Sequence, residues 1–305
     1  MVPTTINTIK IMKIAKNAHS APPDPDQESR KFSSIIKLIS YLARKLPSGK
    51  ITTKRDFHYQ DVNLFQNQEY SNSIIDLFST SLNISTQENL LIYSSQKGLC
   101  YGNCKFSLNN QWFDLTYNSA PILIPHILSN HILTFTHPPI AIIIIEKDAV
   151  FKSFTTYLTE FSPSSNFLVV TGKGFPDKLT KKFIELSSAN LNIPILTFVD
   201  SDVYGLSIFK NYMFSNSAYL ENIILAGVFL LEYTDGWLNI TSLDLRRMIG
   251  LVKSTSSQTH LHKELVKLHR ELTRSLLLLK KSEMNVINHN CSHYIFSKSL
   301  EYLKK

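Results

Sequence analysis

Residues 140–146 read IAIIIIE, and residues 193–202 read IPILTFVDSD. Each is a short apolar run, rich in isoleucine, that stops at acid. Runs that are apolar throughout, rather than alternating, belong to strands buried on both faces, as in a parallel sheet covered by helices. Residues 167–170 and 222–228 read the same way, and amphipathic stretches at 148–158, 177–189 and 204–214 lie between the runs. This alternation predicts an α/β domain. The C-terminal stretch 260–305 is expected to be helical. Its LVKLHRELTRSLLLL run is too short for several heptads and reads as a core-packing stripe.

Upstream the pattern changes. Residues 21–28 carry three prolines in an acidic, polar setting, which favours extended chain over helix. Together with the preceding residues, which show neither the apolar core of a secretory signal nor an Arg-rich presequence, they read as a flexible tail and linker over 1–27. KFSSIIKLISYLARKL, residues 31–46, places Ile35, Ile36, Leu38, Ile39, Leu42 and Leu46 on a helical stripe, ended by Pro47-Ser48-Gly49. Thr53 sits where an N-cap would open a short helix toward Phe65. A third helix over 70–82 and a strand over 89–93 complete a small α+β unit of winged-helix (CAP-like) type, spanning 28–105. Residues 106–135 mix strand-like pieces with Pro121 and Pro125, and the domain join is placed here. The second domain is therefore expected over 106–305.

Composition sets the outer limits. With 305 residues, 43% hydrophobic and 18% charged, the chain is globular and long enough for two cores. Lys and Arg exceed Asp and Glu by 32 to 24, a net charge of +8 that favours an anionic partner such as nucleic acid. The apolar run at 140–145 is far short of the roughly 20 residues that span a bilayer, so no membrane partner is expected. Cys100, Cys104 and Cys291 are too few and too irregularly spaced for a disulfide framework or a zinc site. TGKG at 171–174 lacks the spacing of a P-loop, and ATP is not expected to bind.

In an open parallel sheet, functional groups gather outside the carboxyl ends of the strands. Glu146 follows one buried run directly, and Asp200-Ser201-Asp202 follows another. Residues two apart in extended backbone point the same way, so Asp200 and Asp202 can converge on a cation. Magnesium accepts hard oxygen ligands and keeps several waters, so two or three carboxylates suffice. The plainer alternative is that strand-end acids are solvated or cap the next helix. Glu after one strand paired with Asp-x-Asp after another resembles the Toprim domain of topoisomerases, primases and some nucleases, which implies magnesium-assisted phosphoryl chemistry.

Five ordered motifs narrow the resemblance: TKRDFHYQDVNLF at 53–65, QKGLCYG at 96–102, EKDAVF at 146–151, TGKGFPDKLTKKF at 171–183 and DSDVYG at 200–205, with a weaker echo in KSEM at 281–284. Together they resemble the A subunit of DNA topoisomerase VI, and most closely its meiotic double-strand-break branch, the Spo-eleven type. The resemblance implies an N-terminal winged-helix domain followed by a Rossmann-like Toprim domain with C-terminal helices. It implies that Tyr59 attacks a DNA phosphate to leave a 5′-phosphotyrosyl link, with Arg55 at the same phosphate and Mg2+ held by Glu146, Asp200 and Asp202.

The i, i+4 spacing of Arg55 and Tyr59 suits that role if the stretch is helical. The resemblance also implies DNA contacts at Lys97, Gly98, Lys173 and Gly174, double-stranded DNA as partner, and a homodimer. In it the tyrosine of one protomer meets the metal of the other. A topoisomerase VI B-like subunit, other accessory proteins of break formation and a nuclear location are implied likewise. His58 stands where the family usually carries another aromatic, and Val203 where it usually carries proline. A topoisomerase that religates DNA with an ATPase partner, a non-catalytic DNA-binding relative and a hydrolytic Toprim nuclease are the competing readings.

Overall fold

The structure, a computed structural model, describes residues 25–108, 110–116, 120–127, 132–214, 219–256 and 262–304. It divides into two compact units, Met1–Ser95 and Gln96–Lys305. Most of the expected tail, residues 1–24, lies outside the described residues.

In the first unit, helix α1 (Pro25–Lys45) begins inside the stretch expected to be linker. Proline is tolerated in the first turn of a helix, where its missing N–H has no partner to lose. Asp26 and Glu28 in that turn complement the helix dipole. Strand β1 (Thr52–Thr53) leads into α2 (Lys54–His58), followed by α3 (Val62–Phe65) and α4 (Gln68–Leu82). Strand β2 (Ile92–Tyr93) pairs with β1 in parallel. Leu38, Tyr41 and Leu42 of α1 meet Phe57, Phe65, Ile74, Ile75 and Ile92 in one core. The single helix expected over 53–65 is two pieces, because Asp61 caps a new start by accepting the N–H of Leu64.

The second unit is built on a six-stranded sheet of order β11-β10-β8-β9-β3-β6. Strands β8 (Ala141–Ile145), β9 (Phe167–Thr171), β10 (Ile195–Phe198) and β11 (Ile223–Gly227) are mutually parallel, as expected. Strands β3 (Leu99–Gly102) and β6 (Ile122–Leu123) extend the sheet antiparallel, so it is mixed rather than wholly parallel. Pairing of β3 with β9 is also why the first unit ends at Ser95, short of the expected residue 105. The ambiguous stretch beyond it forms a separate antiparallel sheet of β4 (Lys105–Leu108), β5 (Gln111–Asp114) and β7 (Leu133–His137).

Successive side chains of β8 alternate between two cores, Ile142 and Ile144 to one and Ala141, Ile143 and Ile145 to the other. Helices α6 (Lys178–Leu191), α7 (Val203–Met213) and α9 (Lys263–Leu278) supply the first core, with Met248 of α8 (Ser242–Ser256). Helices α5 (Asp148–Phe161) and α10 (Cys291–Leu303) supply the second. Covering both faces accounts for the unbroken isoleucine run. The expected core-packing role of α9 is met by Leu265, Leu268 and Leu272, all fully buried. Among the described residues, no helix is long and apolar enough to cross a membrane.

Candidate active site

Strands β8 and β10 are neighbours and run in parallel, so the residues that follow them emerge side by side. Glu146 follows β8, and its Oε2 accepts the main-chain N–H of Asp200 at 3.0 Å. Asp200 Oδ1 accepts the N–H of Met284 at 2.8 Å, and Oδ2 lies 2.8 Å from Nζ of Lys147. Asp202 is the N-cap of α7, its Oδ1 accepting the N–H of Gly205 at 2.7 Å. Burial, then the charge of Asp200, pushes the Glu146 carboxyl up to about 7, and burial pushes Asp202 up to about 6. These acids have been drawn out of water with less positive charge than they need.

The loop carrying Asp200 and Asp202 is held on three sides. Ser201 exchanges main-chain hydrogen bonds with Ser282, at 2.9 and 3.2 Å, and its hydroxyl donates to the buried carboxylate of Glu271 at 3.4 Å. Glu271 also accepts the N–H of Leu230 at 3.0 Å. Gly205 closes the fit from below, since a Cβ there would stand 2.3 Å from the carbonyl oxygen of Asp200.

The TGKG loop follows β9 and joins the same floor. Gly174 N–H donates to the carbonyl of Glu146 at 3.0 Å, and Lys173 Nζ lies 3.6 Å from Asp148. Lys173 and Gly174 both have positive φ, 52° and 88°, and nothing lies within 4 Å of a Cβ on Gly174. Both amides are engaged, Lys173 N–H on Thr171 Oγ1 at 3.1 Å and Gly174 N–H on Glu146, so what the loop offers a ligand is the Lys173 side chain. Lys97 reaches the same loop, its Nζ donating to the carbonyl of Phe175 at 2.8 Å. Gly98 differs, being buried with a Cβ position 2.1 Å from Thr180 Oγ1. Its lack of a side chain serves packing of β3 against α6, not the backbone's approach to a phosphate expected from its place beside Lys97.

In the first unit, Thr53 and Asp56 form a reciprocal capping box that starts α2. Phe57 is fully buried and fixes the helix to its core. Tyr59 follows on the opposite side, 57% exposed. Its hydroxyl accepts from Arg55 Nη2 at 3.1 Å and Nε at 3.2 Å, so the i, i+4 pairing is present. This hydrogen bond holds the Arg55 guanidinium above its ordinary pKa. His58 is buried beside the rings of Tyr59 and Phe65.

Two family models match the chain. Residues 141–305 match the Toprim domain of the topoisomerase 6 A subunit and Spo11, and residues 30–92 match the Type IIB DNA topoisomerase model. The chain belongs to the Spo11/topoisomerase 6A family. Among its relatives, the Saccharomyces cerevisiae meiosis-specific protein SPO11 is 31% identical over 201 residues, covering 61% of this chain and 50% of that protein. The Schizosaccharomyces pombe meiotic recombination protein rec12 is 27% identical over 271 residues, 84% of this chain and 73% of rec12. The A subunit of DNA topoisomerase 6 from Arabidopsis thaliana is 33% identical over 202 residues, 65% and 46%. The chain thus spans about half the length of most of these relatives.

Within this Spo11/topoisomerase 6A chain, the second unit gathers Glu146, Asp200, Asp202, Lys173 and Gly174 at one end of the sheet, while Arg55 and Tyr59 pair in the first. Among the described residues, no three His, Cys, Asp or Glu side chains stand around one point as a closed metal cage does. The donor chemistry nonetheless fits magnesium: buried carboxylates with spare oxygens, and an ammonium already in contact with one of them. Sequence reading passed over that ammonium, Lys147, and its second partner Glu283, 3.3 Å away. Both lie inside the quoted EKDAVF and KSEM motifs, which was the available signal.

Proposed function

We propose that the chain is a DNA-cleaving transesterase that makes the double-strand breaks of meiotic recombination. The observation that carries this is the exposed Tyr59 hydroxyl bonded by two nitrogens of Arg55 at the end of a capped helix. The family's meiotic relatives support it.

Tyr59 Oη attacks a backbone phosphorus, the bond to the 3′ oxygen breaks, and the protein is left on the 5′ end through a phosphotyrosine. The phenol gives up its proton and the departing 3′ oxygen takes one. One phosphodiester is exchanged for another, so the step needs no external energy source. Arg55 would turn from the hydroxyl to the phosphate oxygens, offering them a bidentate fork as negative charge builds. Glu146, Asp200 and Asp202 would hold Mg2+, which when bound supplies Lewis-acid stabilisation of phosphate and leaving oxygen. The side chains of Lys173 and Lys97 would take DNA phosphates.

The first unit would act as the winged-helix domain, and the second as the Toprim domain with its helical C-terminal extension. Two copies would be needed to cut both strands, as a nuclear homodimer acting on double-stranded DNA with accessory proteins and a topoisomerase VI B-like subunit. The identity to the Arabidopsis topoisomerase 6 protein favours a second reading, a type IIB topoisomerase component that reseals its breaks.

The test is to isolate the protein from dividing and meiotic cells under denaturing conditions and label any attached oligonucleotide. Wild type should carry DNA on Tyr59 in meiosis, and Tyr59→Phe should carry none. Complexes that persist in Tyr59→Phe would remove the nucleophile. Free 5′ phosphates without covalent protein would indicate a hydrolytic nuclease.

A further inference from the structure

We propose that Lys147 is a built-in counter-ion of the acidic site: its ammonium neutralises Asp200 and Glu283 in the metal-free chain and must leave Asp200 before a divalent ion can bind. This rests on the reading of Glu146, Asp200 and Asp202 as magnesium ligands, and adds a displaceable cation to it.

Position is the first argument. Lys147 is the N-cap of α5, and its side chain makes no capping bond there. The start of a helix is its positive end, the place least suited to a cation, and N-caps are ordinarily Ser, Thr, Asp or Asn. What holds the ammonium is on other elements, Asp200 Oδ2 at 2.8 Å and Glu283 Oε2 at 3.3 Å.

Occupancy is the second. Asp200 Oδ1 is already taken by the N–H of Met284. Lys147 is on Oδ2, so each Asp200 oxygen already has one partner, and the ammonium is the charged one. A divalent ion held by Asp200 would stand within a few ångströms of that ammonium, and repulsion between the two cations favours release of the lysine. The two exchange.

The third argument is that the exchange has somewhere to go. Glu283 adjoins Met284, whose N–H remains on Asp200. A lysine released from Asp200 stays beside Glu283, so metal entry shifts one ammonium without unbinding the segment 281–284. The displaced pair also sets affinity: metal binding must break the Lys147–Asp200 bond, and a chain lacking that bond should bind metal more tightly.

The test uses the full chain, Mn2+ read by the loss of its free-ion EPR signal, and Mg2+ as competitor. Lys147→Met keeps the length of the side chain without its charge and should bind Mn2+ about tenfold tighter than wild type, the scale of a lost charge-assisted bond. Lys147→Arg, which keeps the charge, should stay within about threefold. In parallel, acetylation of wild-type protein followed by mass spectrometry should show Lys147 reacting faster as Mg2+ is added, with Lys152 of the same helix unchanged. Equal or weaker Mn2+ binding by a folded Lys147→Met chain overturns the counter-ion and leaves the metal site standing. Absence of Mn2+ binding by both wild type and Lys147→Met overturns the metal site, and the counter-ion with it. Should Lys147→Met not fold, acetylation decides, and a rate indifferent to Mg2+ overturns the proposal.

Discussion

The main-chain N–H of Asp200 donates to Oε2 of Glu146 across 3.0 Å, tying the residue that follows β10 to the one that follows β8. One acid thus positions the next through its backbone while both keep an oxygen for other partners. The arrangement is compact because the strands are adjacent, and it is electrically incomplete because neither acid has a cation of its own beyond Lys147 on Asp200.

That incompleteness predicts how stability responds to pH. Glu146 rises from 4.5 to about 7 on folding and Asp202 from 3.8 to about 6, so the folded chain holds protons that the unfolded chain has lost. A raised acid contributes stability that is complete below the unfolded pKa and is lost as pH rises through the folded one. The metal-free chain should therefore be less stable at pH 8 than at pH 5, by on the order of 3 kcal/mol from Glu146 alone, and melt at a lower temperature. Magnesium should recover much of this at pH 8 and little at pH 5. Thermal melts in buffer with and without Mg2+ read both effects, and Glu146→Gln should flatten the slope. A Glu146→Gln chain with the same pH dependence as wild type would contradict the burial assigned to Glu146.

Gly205 offers a steric test. A methyl group at this position would overlap the carbonyl of Asp200, which is backbone and cannot swing away. Gly205→Ala should destabilise the chain by about 1–3 kcal/mol in urea titration and weaken divalent-ion binding as well. Gly250→Ala, with open space around its Cβ position on α8, is the control and should be neutral or slightly stabilising.

Much of this site was legible in the residues, for a physical reason. Strands β8 and β10 are buried on both faces, so their apolar runs have sharp ends, and acids just beyond those ends must lie at the carboxyl end of the sheet. The two-domain division was legible from the change of pattern, but its position was not. LCYG of β3 is too short to show a period, and only pairing with β9 assigns it to the sheet. The antiparallel sheet of β4, β5 and β7 was hidden likewise in short strands interrupted by turns. The start of α1 at Pro25 was obscured by prolines whose meaning reverses between a linker and a first helical turn. Lys147 and Glu283 lay in quoted motifs, but contacts between residues distant in the chain leave no spacing to read.

Val203 bears on the Asp200–Asp202 loop. It is the first residue of α7, directly after the Asp202 cap, and that position accepts proline readily because its N–H has no helical partner. Proline would keep the cap on Gly205 and remove freedom from the unfolded chain, but it would lose part of the packing of a buried side chain. Val203→Pro should thus change stability by less than about 1 kcal/mol and leave Mn2+ affinity within about threefold. Chemical denaturation and metal titration measure the two. A large loss of metal binding would show that the native loop depends on the Val203 N–H.

His58 and Arg55 separate what supports Tyr59 from what acts with it. His58 is buried, and its Nδ1 has no hydrogen-bond partner within the structure. An unmatched polar atom among Phe65 and Tyr59 costs stability, so His58→Phe should be neutral or stabilising by about 1 kcal/mol and should retain covalent DNA complexes. Arg55→Lys keeps the charge but loses the two-nitrogen contact with the Tyr59 hydroxyl. Arg55 is exposed on α2, so this change should move stability by no more than about 0.5 kcal/mol. Covalent complexes should nonetheless fall about ten- to a hundredfold, because an ammonium offers a phosphate no planar fork. Counting Tyr59-linked oligonucleotides in the two variants, beside their melting temperatures, decides the matter. Were His58→Phe the one to abolish complexes while Arg55→Lys kept them, the group acting with Tyr59 would be the imidazole, and the two-nitrogen contact of Arg55 would be dispensable.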